Sequence, residues 1–382
     1  MPNRYRWLVL AAGTAAQTAF SVVLIGLPVL APQIRHEYGL DLVQVGFVLD
    51  SVWIGGLLTL LPWGLLADRV GERIVLALGL SLAALALAGA AYAGSYGMFL
   101  LLLGLAGAAG ASVNAASGRA IMYWFPAAER GLALGVRQTA VPIGGFLAAL
   151  VLPALGLEHG LLFLAALSAG GALFGVAVIH DPEAAEDVLR PRRLGDTLRD
   201  GRLWLLCSGS GFYLVAQIAI TSFVVLFLYD ERGFSRGEAA AVLAVVQVLA
   251  AGFRIGGGRW SDVVGSRLRP LRLIGVVSAA TLGLVAVLVD APAPVLVAAL
   301  IVAGGVAMAW NGLSYTAAAE LAGRERSGAA LGMQQTALAA VGAAVPPVFA
   351  AVVSATSWRA AFAFAAVFPL AGALLLRSLR SG

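Results

Sequence analysis

Three ionisable side chains stand inside long apolar runs: Asp50 in "VGFVLDSVWIGG", Arg137 in "LALGVRQTAVPIGG" and Arg254 in "VLAAGFRIGGG". A carboxyl in such surroundings can take up and release a proton, and a guanidinium offers an anion a planar fork of N–H donors. Each also has an ordinary reading. Asp50 can be a hydrogen bond that ties helices together, and Arg137 can snorkel to a headgroup layer. Arg254 can pair with Asp262, two turns further on. Polar side chains recur in the same apolar runs at Gln17, Asn114, Tyr213, Gln217, Asn311 and Tyr315.

Hydrolytic or metal-assisted chemistry finds no support. His36, His159 and His180 lie near loops, the single Cys207 lies in an apolar run, and neither His-Glu-x-x-His nor Gly-x-Ser-x-Gly occurs. No catalytic residue, metal ligand set or cofactor is expected, and the chain is not read as an enzyme. Glycine runs such as "GLAGAAG" (104–110) follow no strand, so they predict close helix packing rather than a nucleotide loop.

The elements that must position these residues follow from composition. With 60% hydrophobic residues and only 12% charged, 382 residues carry more apolar surface than a soluble domain can hide. A lipid bilayer is the expected solvent. Twelve apolar stretches are long enough to cross it: 7–31, 42–66, 74–93, 96–118, 132–153, 160–179, 203–228, 236–258, 271–290, 294–318, 328–353 and 358–377. The first run extends from Trp7 to Pro32, too long for a cleaved signal, and is read as a span.

The net charge of +5 would suggest nucleic acid in a soluble protein, but topology explains it better and no nucleic-acid partner is expected. All 25 basic residues are arginine, and they gather on alternate loops. One side holds, among others, Arg69, Arg73, Arg130, Arg267 and Arg326, while the other holds only Arg35, Arg232, Arg236 and Arg359. The positive-inside rule then predicts a multi-pass protein of the cytoplasmic (inner) membrane with both termini cytoplasmic.

The chain also repeats itself. "GLLADRVGER" (64–73) aligns with "GRWSDVVGSR" (258–267), pairing Gly64, Asp68, Gly71 and Arg73 with Gly258, Asp262, Gly265 and Arg267. "RGLALGVRQTA" (130–140) aligns with "SGAALGMQQTA" (327–337), and Asn114 with Asn311. Matches spread over both halves predict an N-terminal six-helix bundle (1–180), a cytoplasmic linker (181–202) and a C-terminal six-helix bundle (203–382).

The all-α integral membrane architecture and the first of these motifs resemble the major facilitator superfamily. Its signature between spans 2 and 3 reads Gly-x-Leu-Ala-Asp-Arg-x-Gly-Arg-Lys. Gly64, Leu66, Ala67, Asp68, Arg69 and Gly71 match it, Arg73 keeps the last basic position, and Glu72 departs from it. The resemblance implies twelve transmembrane helices in two pseudo-symmetric bundles and a bacterial secondary transporter working by alternating access, with a substrate cavity between the halves. It further implies that spans 1, 4, 7 and 10 line that cavity, which would bring Gln17, Asn114, Tyr213, Gln217, Asn311 and Tyr315 to the substrate.

In the motif loops, Gly64 leaves room for another helix and Gly71 permits a tight reversal. The resemblance implies that Asp68 meets the start of span 11 near Arg326 and Gly328, and symmetry sets Asp262 against Arg130 and Gly131. Gly64, Asp68, Arg69, Gly71, Arg73, Arg130, Gly258, Asp262, Gly265, Arg267 and Arg326 are thus candidate gating residues. Polar residues without a matching repeat partner are better candidates for cargo chemistry. Asp50 stands opposite Ala244, Arg137 opposite Gln334 and Arg254 opposite Leu60. Asp50 is the candidate coupling site, with protons as the partner.

Val141 precedes Pro142 and Arg137 replaces a glycine where drug–proton antiporters of the superfamily carry Gly-Pro-x-x-Gly, which weighs against drug efflux. The expected function is transport of a small organic anion or polar metabolite by a monomer. Efflux of amphipathic compounds by proton antiport is one alternative, and a non-transporting membrane sensor is another.

Overall fold

The computed structural model describes residues 5–114, 124, 125, 133, 136–178, 194–323 and 326–379, less the side chains of Asp68 and Leu194, and among them there is no strand. The helices are α1 (Tyr5–Tyr38), α2 (Leu42–Val70), α3 (Glu72–Ala91), α4 (Tyr96–Gly110), α5 (Ala140–Val151), α6 (Leu157–Val178) and the short α7 (Leu194–Arg199). They continue with α8 (Gly201–Asp230), α9 (Arg236–Val264), α10 (Leu268–Val287), α11 (Ala293–Ala307), α12 (Asn311–Ala322), α13 (Ser327–Ala355) and α14 (Trp358–Leu375). Twelve stretches among the described residues are long and apolar enough to cross a membrane. Span 4 runs to Asn114, span 5 covers Val136–Ala154, and α11 with α12 forms span 10 (Ala293–Ala322).

The helices outrun the apolar stretches that announced them, because hydropathy marks only the hydrocarbon-buried part. The first span was expected over 7–31, yet α1 continues through Pro28 and Pro32 to Tyr38. Its far end is held by tertiary hydrogen bonds: Gln33 Nε2 donates to the Leu155 carbonyl (3.2 Å) and the Tyr38 hydroxyl to the Ala93 carbonyl (2.8 Å). Local chemistry sets other ends. Ser235 and Glu238 form a capping box at the start of α9, and the Ser95 and Ser357 side chains accept from the N–H groups of Met98 and Ala360 in the first turns of α4 and α14.

The two motif glycines make their reversals in different ways. Gly71, between α2 and α3, has φ 86° and ψ 167°, while Gly265 ends α9 in the left-handed region at φ 65° and ψ 25°. Both values lie where a side chain is disfavoured.

The described chain falls into two compact units: Met1–Gly39 with Phe47–Arg190, and Leu40–Gly46 with Pro191–Gly382. In the first, α1 packs against α5 and α6, and α3 against α4 and α6. In the second, α8 packs against α13 and α14, and α10 against α11 and α14. The neighbour relations of spans 1, 3, 4, 5 and 6 therefore recur among spans 7, 9, 10, 11 and 12. Span 7 is the most buried helix of its unit, 89% buried over its most apolar window against 56% for span 10, the next of that unit. Stacked rings of Phe223, Phe227, Phe349, Trp358 and Phe362 lock α8, α13 and α14 together. Large apolar side chains such as Leu58, Leu61, Leu85 and Leu173 face outward, as suits a chain surrounded by lipid.

Candidate functional site

In the first unit, glycines bring three helices close enough for polar side chains to meet. A Cβ added to Gly110 would strike the Phe20 ring, and one added to Gly144 would lie 2.8 Å from Ser21 Cβ and 2.9 Å from Val22 N. Phe20 is one turn from Gln17 on α1, Gly110 is one turn from Asn114 in span 4, and Gly144 is two turns from Arg137 in span 5. These approaches fix a cluster of three predicted residues. Arg137 Nη2 donates to Gln17 Oε1 (3.0 Å) and to Asn114 Oδ1 (3.3 Å). Gln17 and Arg137 are buried and Asn114 is half-buried. Both acceptors are neutral amides, and they orient the guanidinium.

Asp50 lies on α2, 2% exposed, and its Oδ1 is buried with no hydrogen-bond partner. The neighbouring Ser51 hydroxyl donates to the Val48 carbonyl of its own helix. On the side facing α4 the contact is between backbones: a Cβ on Gly55 would collide with the Gly104 carbonyl, and one on Gly107 with Val52.

The second unit builds a related cluster without a central arginine. Asn311 Nδ2 donates to Gln217 Oε1 (2.9 Å), joining α12 to α8. Met308 lies in the break between α11 and α12, where its carbonyl has left the regular ladder. That carbonyl accepts from Arg254 Nε (2.9 Å) and from Asn311 Nδ2 (3.4 Å). Arg254 thus meets the helix break, whereas Asp262 pairs with Arg267. The Tyr315 hydroxyl donates to Gln335 Oε1 on α13.

Tyr213 does not join this group. Its ring fits against Gly275 and Gly372, and its hydroxyl donates to the Leu271 carbonyl (3.0 Å), so it ties α8 to α10 and α14. A second network was not foreseen: Gln334 Nε2 donates to the Ser210 (3.3 Å) and Ser314 hydroxyls, which also bond each other at 2.5 Å. The available signal was that Gln334 occupies the repeat position of Arg137.

In the motif loops, Arg267 pairs with Asp262 and with Glu320 (3.1 Å) and donates to Ser261 Oγ (2.9 Å). Burial works against the charge of Arg267, but the hydrogen bonds and charges of Asp262 and Glu320 outweigh it and hold the guanidinium above its ordinary range. Arg326 Nη2 lies 3.7 Å from Asp200 Oδ2, and Arg326 Nε donates to the Ala322 carbonyl. Asp200 caps α8 by accepting from Arg202 N (3.1 Å). Burial alone would raise its carboxyl, yet the hydrogen bonds from Arg202 and the charges of Arg202 and Arg326 hold it below the usual carboxylate range.

Arg69 is exposed and Arg73 half-buried. The Asp68 side chain and Arg130 lie outside the described residues. Among the described residues, a Cβ at Gly64 or Gly258 meets nothing within 4 Å, while α2 touches α4 closely at Gly55 and Gly107.

The sequence profile of a family described as Major Facilitator Superfamily matches residues 9–346. The chain is 35% identical over 380 residues to "Uncharacterized MFS-type transporter Rv2994" of Mycobacterium tuberculosis (strain ATCC 25618 / H37Rv), across 97% of this chain and 84% of the relative. It is 30% identical over 293 residues to "Probable nitrate/nitrite antiporter NarK1" of Thermus thermophilus, across 70% and 63% of the two chains. Among solved structures it resembles a D-xylose-proton symporter with a TM-score of 0.81 over 97% of each chain at 15% identity, a likeness of fold alone.

Proposed function

The chain belongs to the Major Facilitator Superfamily of membrane transporters, and on that premise we propose that its cargo is a small anion held in the first unit by Arg137. The observation that carries this reading is the buried Arg137 guanidinium, steered by the amide oxygens of Gln17 and Asn114 on two other spans. Its planar donor set matches a carboxylate or an oxyanion such as nitrate, and a lysine could not reproduce it. The relative named for nitrate and nitrite supports the same class.

The same geometry supplies a link to conformational change. An anion bound at Arg137 would alter its hold on Gln17 and Asn114, and so the mutual packing of spans 1, 4 and 5. A cargo shifts a carrier between states only by binding one of them better, and a three-helix anchor gives it that leverage. The exposed ion pairs Asp262–Arg267 and Arg267–Glu320, with Arg326–Asp200, serve as gate contacts in this reading. The two exposed pairs of Arg267 contribute about 0–1 kcal/mol each, weak enough to break and re-form in every cycle. The arginine distribution supports a protein of the cytoplasmic membrane with both termini inside.

The direct test is thermal unfolding of the detergent-solubilised chain with nitrate, mono- and dicarboxylates, and lipophilic cations. Stabilisation of the wild type by an anion, lost in Arg137→Ala, supports the proposal. Stabilisation by lipophilic cations alone, or an anion effect that survives in Arg137→Ala, overturns it.

A further inference from the structure

We propose that Asp50 is the proton-binding residue of the transport cycle, protonated in the conformer described and deprotonated when the cycle opens its carboxyl to water. The proposal rests on the transport reading but not on the choice of cargo.

Asp50 lies eight residues into α2, about 12 Å from its first residue at helical rise. Some buried hydroxyls of the spans satisfy themselves locally, as Ser21 does on the Gln17 carbonyl, Ser168 on Leu164 and Ser210 on Leu206. Asp50 has no such outlet at Oδ1. Ser112 Oγ and Thr14 Oγ1 are also buried without a partner, and Asp50 differs from these two in being ionisable. Among the described residues no ion pair reaches Asp50 either. Away from the helix ends, α1, α3, α4, α6, α8, α12 and α14 carry no charged residue, and α13 has none in its 29 residues.

Among the described residues, the spans also hold Arg137, Arg254, the exposed Arg259, and Arg272, which donates to the Leu376 and Leu379 carbonyls. Arg137 is turned to Gln17 and Asn114, and Arg254 to the Met308 carbonyl. A carboxylate buried to this extent with no cation beside it among the described residues is strongly disfavoured, whereas the neutral acid is tolerated.

The chemistry is a simple proton exchange. A hydronium ion on one side gives its proton to a carboxylate oxygen of Asp50, forming one O–H bond and leaving water. On the other side water takes the proton back, the O–H bond breaks, and one proton has crossed. Because the ionised form needs water and the neutral form does not, the charge on Asp50 biases which conformer is populated.

Infrared difference spectroscopy of the full chain in lipid, wild type minus Asp50→Asn, reads the proton directly. The expected result is a carboxylic-acid C=O band at neutral pH that fades as the pH is raised and returns, shifted, in Asp50→Glu. Thermal unfolding of each variant checks that it is folded. In proteoliposomes with nitrate as the probe, a pH gradient should alter the wild-type flux at least tenfold more than that of Asp50→Asn, with nitrate exchange retained in the variant. Absence of the acid band, a band that does not titrate, or a gradient effect that persists in Asp50→Asn overturns the proposal. If the wild type carries no nitrate, that choice of cargo fails, and the infrared titration still decides the proton site.

Discussion

Asn311 donates to Gln217 across 2.9 Å to join α12 to α8, whereas its repeat partner Asn114 accepts from Arg137, which also reaches Gln17. One duplicated amide therefore serves a neutral bond in the second unit and a charged anchor in the first. One contribution to the difference is a single repeat position, occupied by Arg137 in one copy and by Gln334 in the other; Gln17 and Gln217, which complete the two clusters, do not occupy matching positions.

Replacing Arg137 with glutamine, the residue at its repeat position, removes the charge of the anchor. The expected outcome is a folded protein in which anion affinity falls at least tenfold, equivalent to about 1.4 kcal/mol or more of lost binding. Arg137→Lys should rescue little, since an ammonium lacks the planar donor pair. Isothermal titration with the stabilising anion checks both.

The glycine contacts predict a sharp contrast in stability. Gly110→Val drives methyl groups into the Phe20 ring and should cost about 1–3 kcal/mol as overpacking. Gly64→Ala meets open space and should stay within about 0.5 kcal/mol of wild type. Reversible denaturant unfolding of the two variants side by side measures the difference.

Gly265 holds φ 65° at the end of α9, so Gly265→Ala should destabilise by about 1 kcal/mol, while Gly258→Ala inside the same helix should be neutral or stabilising. Thermal unfolding reads both. Equal effects at the two positions would contradict the assigned role of the left-handed cap.

Asp200 gives a pH dependence with a defined sign. Its folded-state carboxyl is held below the usual range, burial being outweighed by Arg202 and Arg326. The unfolded state therefore binds the proton more readily, and the contribution is present in full above about pH 4. It is lost as the pH falls through the lowered folded-state value. The stability gap between wild type and Asp200→Asn should thus be widest near neutrality and close in acid, as followed by unfolding at stepped pH.

The spans, the repeat and the superfamily motif were legible because each rests on a pattern along the chain: an apolar run, a fixed offset, or a spaced set of charges and glycines. The meeting of Gln17, Asn114 and Arg137 was only half legible. Their residue types stood out, but the contact depends on Gly110 and Gly144 letting α1 be approached from two sides. Tyr213 looked like a cavity residue by its span, yet its ring is taken up by the gaps at Gly275 and Gly372. The partner of Arg254 could not be read at all, since it is a backbone carbonyl exposed by a helix break at Met308. Hydropathy runs smoothly through that break.

The central claim is that the Arg137 guanidinium binds an anion that the protein moves across the membrane. Transport currents on a solid-supported membrane test it most directly, with nitrate and simple carboxylates as probes on reconstituted wild type and Arg137→Gln. The account predicts a saturable anion-induced current in the wild type that is absent from the folded variant. Equal currents in the two proteins, or a wild type that responds to lipophilic cations but to none of these anions, would contradict it.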